Sequence, residues 1–270
     1  MSKEEKNKGD MSFLEHLEVL RWHLVRSAAV ILVFTIVAFI FKGFIFDDVI
    51  LAQKHSDFWT YEMFCKLSHL LGRGDALCMG DIEFDLINIT MSGQFTTHII
   101  TSIIAGIVVA FPYILFEIWR FITPALQKKE KKSALSLIIS GSVLFMIGIL
   151  FGYYFVSPLS VQFLGNYQVS ESIQNHITIG SFISTVTTVT LACGLVFELP
   201  LLVYFLAKLG VLTPEFMRKY RKHAIVVTLV LSAIITPPDV SSQVLLTIPL
   251  LILYEFSIYI AKMVVKKTAK

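Results

Sequence analysis

Charged residues are scarce in this sequence. Only 16% of its 270 residues are Asp, Glu, Lys or Arg, whereas 55% are hydrophobic. Soluble domains carry about 25% charged residues, so water is an improbable solvent for most of this chain. Apolar runs that can cross about 30 Å of hydrocarbon recur along the sequence and leave no room for a separate soluble domain. We therefore expect a single helical membrane domain over residues 1–270.

Cysteine and catalytic motifs are equally sparse. The three cysteines exclude a disulfide-rich scaffold, and they show no metal-ligand spacing. The sequence contains no H-E-x-x-H, G-x-S-x-G or G-x-x-x-x-G-K motif. Its basic residues form short clusters between apolar runs rather than one basic face, which argues against a nucleic-acid partner. We expect no enzymatic activity, no cofactor and no metal.

Six apolar segments are candidates for transmembrane helices. The predicted architecture is therefore an all-α integral membrane protein with six spans. The segments cover residues 24–46, 99–118, 134–156, 177–207, 224–235 and 244–261.

Lys and Arg alternate between rich and poor connecting segments. Nineteen of the 23 lie in the N-terminal 27 residues, in 120–132, in 208–223 and in the tail from 262, whereas 157–177 and 236–243 contain none. Basic loops stay in the cytoplasm. Both termini should therefore be cytoplasmic, in a multi-pass protein of the cell inner membrane. The predicted cytoplasmic segments are 1–23, 119–133, 208–223 and 262–270, and the predicted external cap loop is 47–90.

The cap loop and the N-terminus each have a distinctive composition. Residues 42–90 hold eight acidic and four basic residues, with Cys65 and Cys78 as a potential disulfide pair on the oxidising side of the membrane. In the N-terminal FLEHLEVLRWHL, apolar residues recur near helical spacing, and Glu15 and Glu18 lie off that stripe. This pattern predicts an amphipathic segment at the cytoplasmic interface before the chain turns into the membrane.

Two of the apolar segments depart from the usual length. Residues 224–235 would extend only about 18 Å as a helix, so either flanking residues lengthen it or the membrane thins around it. Residues 177–207 are too long for a straight span. We expect a bend there, at Pro200 or Gly194.

Glu198 lies inside an apolar run, ten residues before Lys208 and therefore roughly 15 Å from the cytoplasmic edge. An intramembrane carboxyl is typically functional and faces the bundle interior or a wet cavity. The alternative is a protonated Glu that only hydrogen-bonds a neighbouring helix. A proton-coupled small-molecule secondary transporter would also use such a residue, although no internal repeat typical of transporters is evident. A structural membrane scaffold would not need it.

The segment WRFITPALQKKEKK contains one carboxylate, Glu130, among four lysines. A carboxylate at the membrane surface can bind an arginine guanidinium through two hydrogen bonds, with Phe121 close by in sequence to contact apolar groups. A basic run after a helix is also a common topology signal. These two interpretations remain open from the residues alone.

Taken together, five segments resemble the TatC family of twin-arginine protein translocases, from about residue 13 to residue 262. They occur in the same order and with the same six-helix topology as in that family. The matching segments are HLEVLR at 16–21, FPYILFEIWRFITPALQKKEKK from 111, FGYYFVSPL from 151, GLVFELP at 194–200 and TPPDVSSQVLLTIPLLILYE from 236.

The resemblance implies a glove-like bundle with a concave face and a translocase that binds the twin-arginine signal peptides of folded cargo proteins. It implies single-span TatA/TatB-type partners, a homo-oligomeric receptor complex, contact with membrane lipid and transport driven by the proton motive force. It places Glu130, Phe121, Glu18, Glu15 and Arg21 in the signal-peptide site and Glu198 at a site for partners. The residues of the matching segments that are expected to be structural are Pro112, Pro124, Pro200, Pro237, Pro238 and Asp239.

One departure from the family pattern concerns the N-terminal motif. The family commonly has H-L-x-E-L-R, and Val19 stands here where the family has glutamate. Glu18 is one residue away, which turns a side chain by about 100° around a helix. The resemblance therefore leaves open whether Glu18 replaces that carboxylate.

Overall fold

A computed structural model describes residues 13–268 except 56, 73, 76–77, 79–84, 123–133, 171–174 and 238. The described part of the chain contains ten α-helices, one pair of short strands, the π-helical segments Phe44–Ile50 and Gly152–Val156, and the 3-10 helix Leu51–Lys54. The helices are α1 Phe13–Ile40, α2 Trp59–Leu70, α3 Gly93–Ile122, α4 Ala134–Phe151, α5 Ser157–Asn166, α6 Ile179–Val196, α7 Leu199–Lys208, α8 Pro214–Lys219, α9 Arg221–Ile235 and α10 Val240–Thr268.

Five helical stretches in the described part are long and apolar enough to span a membrane. They are Leu17–Ile40, Gly93–Ile122, Leu135–Asn166, Ile179–Lys208 and Val240–Lys266. The third stretch joins α4 to α5 through the π-helical turn Gly152–Val156. With the shorter α9, these make the six spans of the predicted all-α architecture.

The short fifth span is lengthened by its polar flank. Arg221, Lys222 and His223 form the first turn of α9, which has 15 residues. At 1.5 Å per residue this helix is about 22 Å long, still less than the hydrocarbon thickness. Flanking residues on its N-terminal side therefore extend the helix, without bringing it to the length of a full span.

The predicted bend in the fourth span is confirmed at Pro200 and not at Gly194. The helix breaks between Val196 and Leu199, and Pro200 occupies the first turn of α7, where its missing N–H needs no partner. Gly194 lies inside α6, where a Cβ would be 2.7 Å from Cδ1 of Ile149 and 2.9 Å from Phe145. Its role is therefore close packing of α6 on α4.

The N-terminal segment differs from the expectation. The structure has one continuous helix from Phe13 to Ile40, with no separate interfacial helix and no turn into the membrane within these residues. The physical reason is local, because residues 13–40 contain neither Gly nor Pro to interrupt the helix. This helix, α1, packs mainly against α3.

The connecting segments gather at two ends of the bundle. Strands β1 (Leu86–Ile87) and β2 (Ile177–Thr178) pair in parallel and join the loop before α3 to the loop before α6. At the same end, Ser160 of α5 reaches Asp239 before α10. The three segments expected outside therefore share one end, as alternation of the charged loops requires.

Clusters of buried apolar side chains connect the spans to one another. Val156, Val189, Cys193, Leu246 and Leu250 form a cluster that joins the third, fourth and sixth spans. A second cluster around Val203, Met217 and Ile258 joins α7, α8 and α10. The bundle is thus held by α6, α7 and α10, while α1 lies at its edge.

Candidate functional site

Glu198 occupies the break between α6 and α7. It is the N-cap residue of α7, but its side chain does not cap the helix. Both carboxylate oxygens are buried, and neither has a hydrogen-bond partner among the described residues. A Cβ on Gly141 of α4 would lie 3.3 Å from Oε2 of Glu198, so the carboxyl group lies against α4. Such a group retains the capacity to bind a polar atom brought by another helix.

A second polar site joins α1 to α3 near the end of α3 that leads into residues 123–133. Nδ1 of His23 contacts Oε2 of Glu117 in a buried ion pair or hydrogen bond, and Tyr113 donates a 2.8 Å hydrogen bond to Oε1 of the same carboxylate. Glu117 is only 2% exposed. Its partners lie on both helices, so the carboxylate fixes the position of α1 relative to α3.

Phe121 is next to this polar pair. Its ring meets the His23 ring edge-on, with the centroids 5.9 Å apart, and its side chain is half-buried. His23 thus contacts both the Glu117 carboxylate and Phe121, the aromatic residue expected in the signal-peptide site. Glu130 and Pro124, the other expected members of this loop, lie outside the described residues.

The N-terminal motif presents a charged surface on the same helix. Glu18 and Arg21 are exposed, and the Arg21 guanidinium lies 5.5 Å from the ring centroid of Trp22. Glu15 belongs to α1, but its side chain lies outside the described part of the structure. Val19 and His23 are four residues apart and share one face of α1. The position where the family has glutamate therefore faces the same way as His23.

Neither His23 nor Glu117 was expected at a site from the sequence. A usable signal was present, because Glu117 is a carboxylate within the apolar run FPYILFEIWRFI, which costs free energy unless the group is paired. His23 carries no such signal by itself. Their contact joins residues that are 94 positions apart, so it depends on the packing of α1 on α3.

Asp239 organises the turn before α10. Its Oδ1 accepts hydrogen bonds from the backbone N–H of Ser242 at 2.6 Å and from Oγ of Ser241 at 3.1 Å, as an N-cap does. Ser160 donates to Oδ2 at 3.4 Å. Pro237 lies two residues before Asp239, and Pro238 lies outside the described residues. Pro112 lies within α3, which remains helical through it.

The cap, residues 47–90, is tied to the third span by polar contacts. Gln53 donates to the carbonyl of Tyr153 at 2.9 Å and accepts from Ser157 at 2.7 Å, while the Tyr61 hydroxyl donates to the Gln53 carbonyl at 2.9 Å. Burial raises the pKa of Tyr61. Cys65 and Cys78 are joined in a disulfide, and Cys193 is a buried free cysteine in α6.

The fold and these sites define a multi-pass membrane protein with polar groups placed at one end and inside its bundle. A family model described as Sec-independent protein translocase protein (TatC) matches residues 15–249. The chain belongs to the TatC family of Sec-independent protein translocases and is a translocase subunit of that family.

Relatives and a solved structure agree with this assignment. The chain is 37% identical to a Sec-independent protein translocase protein TatC from Blattabacterium sp. subsp. Periplaneta americana, with 98% of this chain and 99% of the relative covered. It is 34% identical to the TatC of Aquifex aeolicus, with 95% and 97% covered. A crystal structure described as twin arginine translocase receptor TatC matches with a TM-score of 0.68 and 34% identity, covering 93% of this chain and 99% of that one. These similarities support translocation and not the small-molecule transporter alternative.

Proposed function

We propose that this chain is the receptor subunit of its translocase and binds twin-arginine signal peptides at the end where α1 meets the C-terminus of α3. The observation that carries this proposal is the buried His23–Glu117 pair beside Phe121. It holds the N-terminal motif on α1 and the aromatic residue on α3 in one fixed arrangement. A preorganised surface of this kind binds a peptide without first ordering its own side chains.

The recognition chemistry is the pairing of guanidinium with carboxylate. Glu130 follows α3 by eight residues and is surrounded by four lysines in sequence, which favour its ionised form. One arginine of the peptide would bind Glu130 through two hydrogen bonds, and Phe121 would contact the neighbouring apolar side chain. Glu18 is exposed on α1 and can accept the second arginine, with Glu15 and Arg21 as further members of this surface.

We infer that the protein lies in the cell inner membrane and that this recognition surface faces the cytoplasm. The segments that would lie in the cytoplasm are residues 1–23, the basic loops 119–133 and 208–223, and the tail 262–270. The cap, residues 47–90, would lie outside. Single cysteines introduced at 129 and at 168 test this orientation in intact cells. An impermeant reagent should label position 168 and not position 129, and the opposite pattern would invert the topology.

Glu198 is proposed as the contact for the single-span TatA/TatB-type partners. Its unpartnered oxygens lie inside a membrane span, where a hydrogen-bond donor from a partner helix would relieve the cost of burial. Export would then use the proton motive force, and the receptor would be homo-oligomeric and surrounded by membrane lipid. Pro112, Pro124, Pro200, Pro237, Pro238 and Asp239 would support the helix ends and bends that hold these sites.

A charge reversal tests the signal-peptide site. Glu130→Lys should abolish photocrosslinking of a twin-arginine signal peptide to the receptor, with protein abundance nearly unchanged. Glu215→Lys is the matched control, because Glu215 is an exposed carboxylate in the other loop assigned to the cytoplasm. Normal crosslinking in Glu130→Lys would contradict a binding role for Glu130 and leave the basic run around it as a topology signal only.

A further inference from the structure

Four side chains with metal-binding atoms converge at the far end of the cap. Sγ of Cys65, Nε2 of His69, a carboxylate oxygen of Asp75 and Sγ of Cys78 all lie within 4.8 Å of one another. The cysteines are half-buried, and His69 and Asp75 are exposed. The spacing of the three cysteines alone shows no metal-ligand pattern, because two of the four ligands are His69 and Asp75.

The backbone explains why these residues meet. Cys65 and His69 are four residues apart on α2 and therefore lie on one face of the helix. The chain then reverses through Gly72 and Gly74, whose φ angles of 68° and 58° suit glycine, and returns Asp75 to the end of α2. The Cys78 N–H donates to the Asp75 carbonyl at 3.0 Å, which closes a turn and places both side chains together.

The spacing of the ligand atoms matches a tetrahedral zinc site. Zinc bonds of about 2.3 Å to sulfur, 2.0–2.1 Å to nitrogen and 2.0–2.2 Å to oxygen give a tetrahedron with edges of roughly 3.4–3.8 Å. His69 Nε2 lies 3.2 Å from Asp75 Oδ1, and Cys78 Sγ lies 3.7 Å from each of these two atoms. Three edges therefore already have nearly the required length.

The remaining obstacle is the disulfide itself. The two sulfurs are bonded to each other, whereas zinc would need them about 3.8 Å apart. Reduction removes that bond and frees both thiolates. The ligand set of two thiolates, one imidazole and one carboxylate suits Zn²⁺ and is too soft for Mg²⁺ or Ca²⁺. The C-terminal end of α2 also favours a nearby cation.

We propose that reduction of the Cys65–Cys78 disulfide converts this end of the cap into a Zn²⁺ site formed by Cys65, His69, Asp75 and Cys78. Two thiol equivalents of a dithiol reductant give up their hydrogens, the protein disulfide becomes two thiols, and the reductant becomes a disulfide. Zn²⁺ then replaces the two thiol protons, which pass to solvent. This site is independent of the proposed signal-peptide function.

Metal titration of the full-length protein tests the proposal. The purified chain in detergent is reduced with a metal-free phosphine, and Zn²⁺ uptake is followed by competition with a chromophoric chelator. We expect one Zn²⁺ per chain after reduction and none in the oxidised protein. Bound Zn²⁺ should also slow alkylation of Cys65 and Cys78 at least tenfold, as mass spectrometry of the peptides would show.

Single-site variants separate the four-ligand site from two reactive thiols. His69→Ala and Asp75→Ala should each weaken Zn²⁺ binding about tenfold or more, because each removes one of four ligands. Cys193→Ser should leave binding unchanged, since this buried cysteine belongs to α6. Three results would each overturn the proposal: Zn²⁺ binding by the oxidised protein, absence of binding by the reduced protein, or a Zn²⁺ affinity in the His69→Ala or Asp75→Ala variant equal to that of the parent chain.

Discussion

The two ends of the bundle satisfy their polar groups differently. At the end with the cap, Gln53, Tyr61 and Ser157 bond to one another and to backbone carbonyls, and a disulfide and two paired strands close the connecting loops. At the opposite end, α1 and α3 share one buried polar pair beside a half-exposed aromatic ring. The cap end is therefore closed by contacts within the chain, whereas the opposite end has fewer such contacts around Phe121, where the proposed function puts signal-peptide binding.

Glu117 provides the largest expected effect. Glu117→Ala leaves His23 buried without its carboxylate, and breaking a buried pair in this way costs about 3–5 kcal/mol when the pair is ionised. The α1–α3 contact should loosen, lowering both the thermal stability and signal-peptide crosslinking at Phe121. Glu117→Gln, which keeps an acceptor for the Tyr113 hydroxyl, should lose less of both.

A matched ion pair in the same chain controls this comparison. Arg221 and Glu255 are 2.7 Å apart on exposed side chains, where such pairs contribute only about 0–1 kcal/mol. Glu255→Ala should therefore have little effect on either readout. If Glu117→Ala also left thermal stability and signal-peptide crosslinking unchanged, the pair would have no role in holding α1 against α3.

Glu198 comes next, and its two substitutions distinguish two mechanisms. If its carboxyl offers a hydrogen-bonding site to a partner helix, Glu198→Ala should reduce partner crosslinking several-fold, a loss of about 1 kcal/mol. Glu198→Gln should then be mild, and signal-peptide binding should persist in both. A proton-carrying role reverses the order, because Gln cannot ionise and would be nearly as damaging as Ala. Full export and unchanged partner crosslinks in both variants would exclude either role.

Tyr61 should give the smallest effect and one confined to stability. Tyr61→Phe removes the hydrogen bond to Gln53, which should cost about 1 kcal/mol, without changing signal-peptide crosslinking. Because burial raises the pKa of Tyr61 in the folded chain, its stabilising contribution is present below pH of about 10 and is lost as the pH rises further. Unfolding measured against pH should show a weaker alkaline decline in Tyr61→Phe. A decline identical to that of the parent chain would contradict this assignment.

Local sequence signals were sufficient for much of the fold. Apolar length identified the spans, and Pro200 marked the break because proline lacks an N–H and suits the first turn of a helix. Gly194 carried an equally plausible breaking signal, but packing against Ile149 and Phe145 determines its role. The prediction of a turn after the amphipathic N-terminus was wrong, because an amphipathic pattern does not by itself interrupt a helix.

Long-range contacts account for what the sequence could not predict at the sites. An isolated intramembrane carboxyl such as Glu198 can be recognised from the sequence, because placing a carboxylate inside an apolar span costs free energy. The His23–Glu117 pair depends instead on how α1 packs on α3. No fixed sequence spacing describes that pair, whereas His69 and Asp75 lie between Cys65 and Cys78 and are missed only when the cysteines are considered alone.

Photocrosslinking with matched signal peptides tests the central claim most directly. A photoreactive residue is placed at Phe121 or, as the control at the cap, at the exposed Trp59. The receptor is then offered one peptide with the arginine pair and one with two lysines, which keep the charge but not the planar two-bond geometry. We predict strong crosslinking at position 121 with the arginine peptide, at least tenfold less with the lysine peptide, and none at position 59. Equal crosslinking of both peptides at position 121, or preferential crosslinking at position 59, would contradict the account.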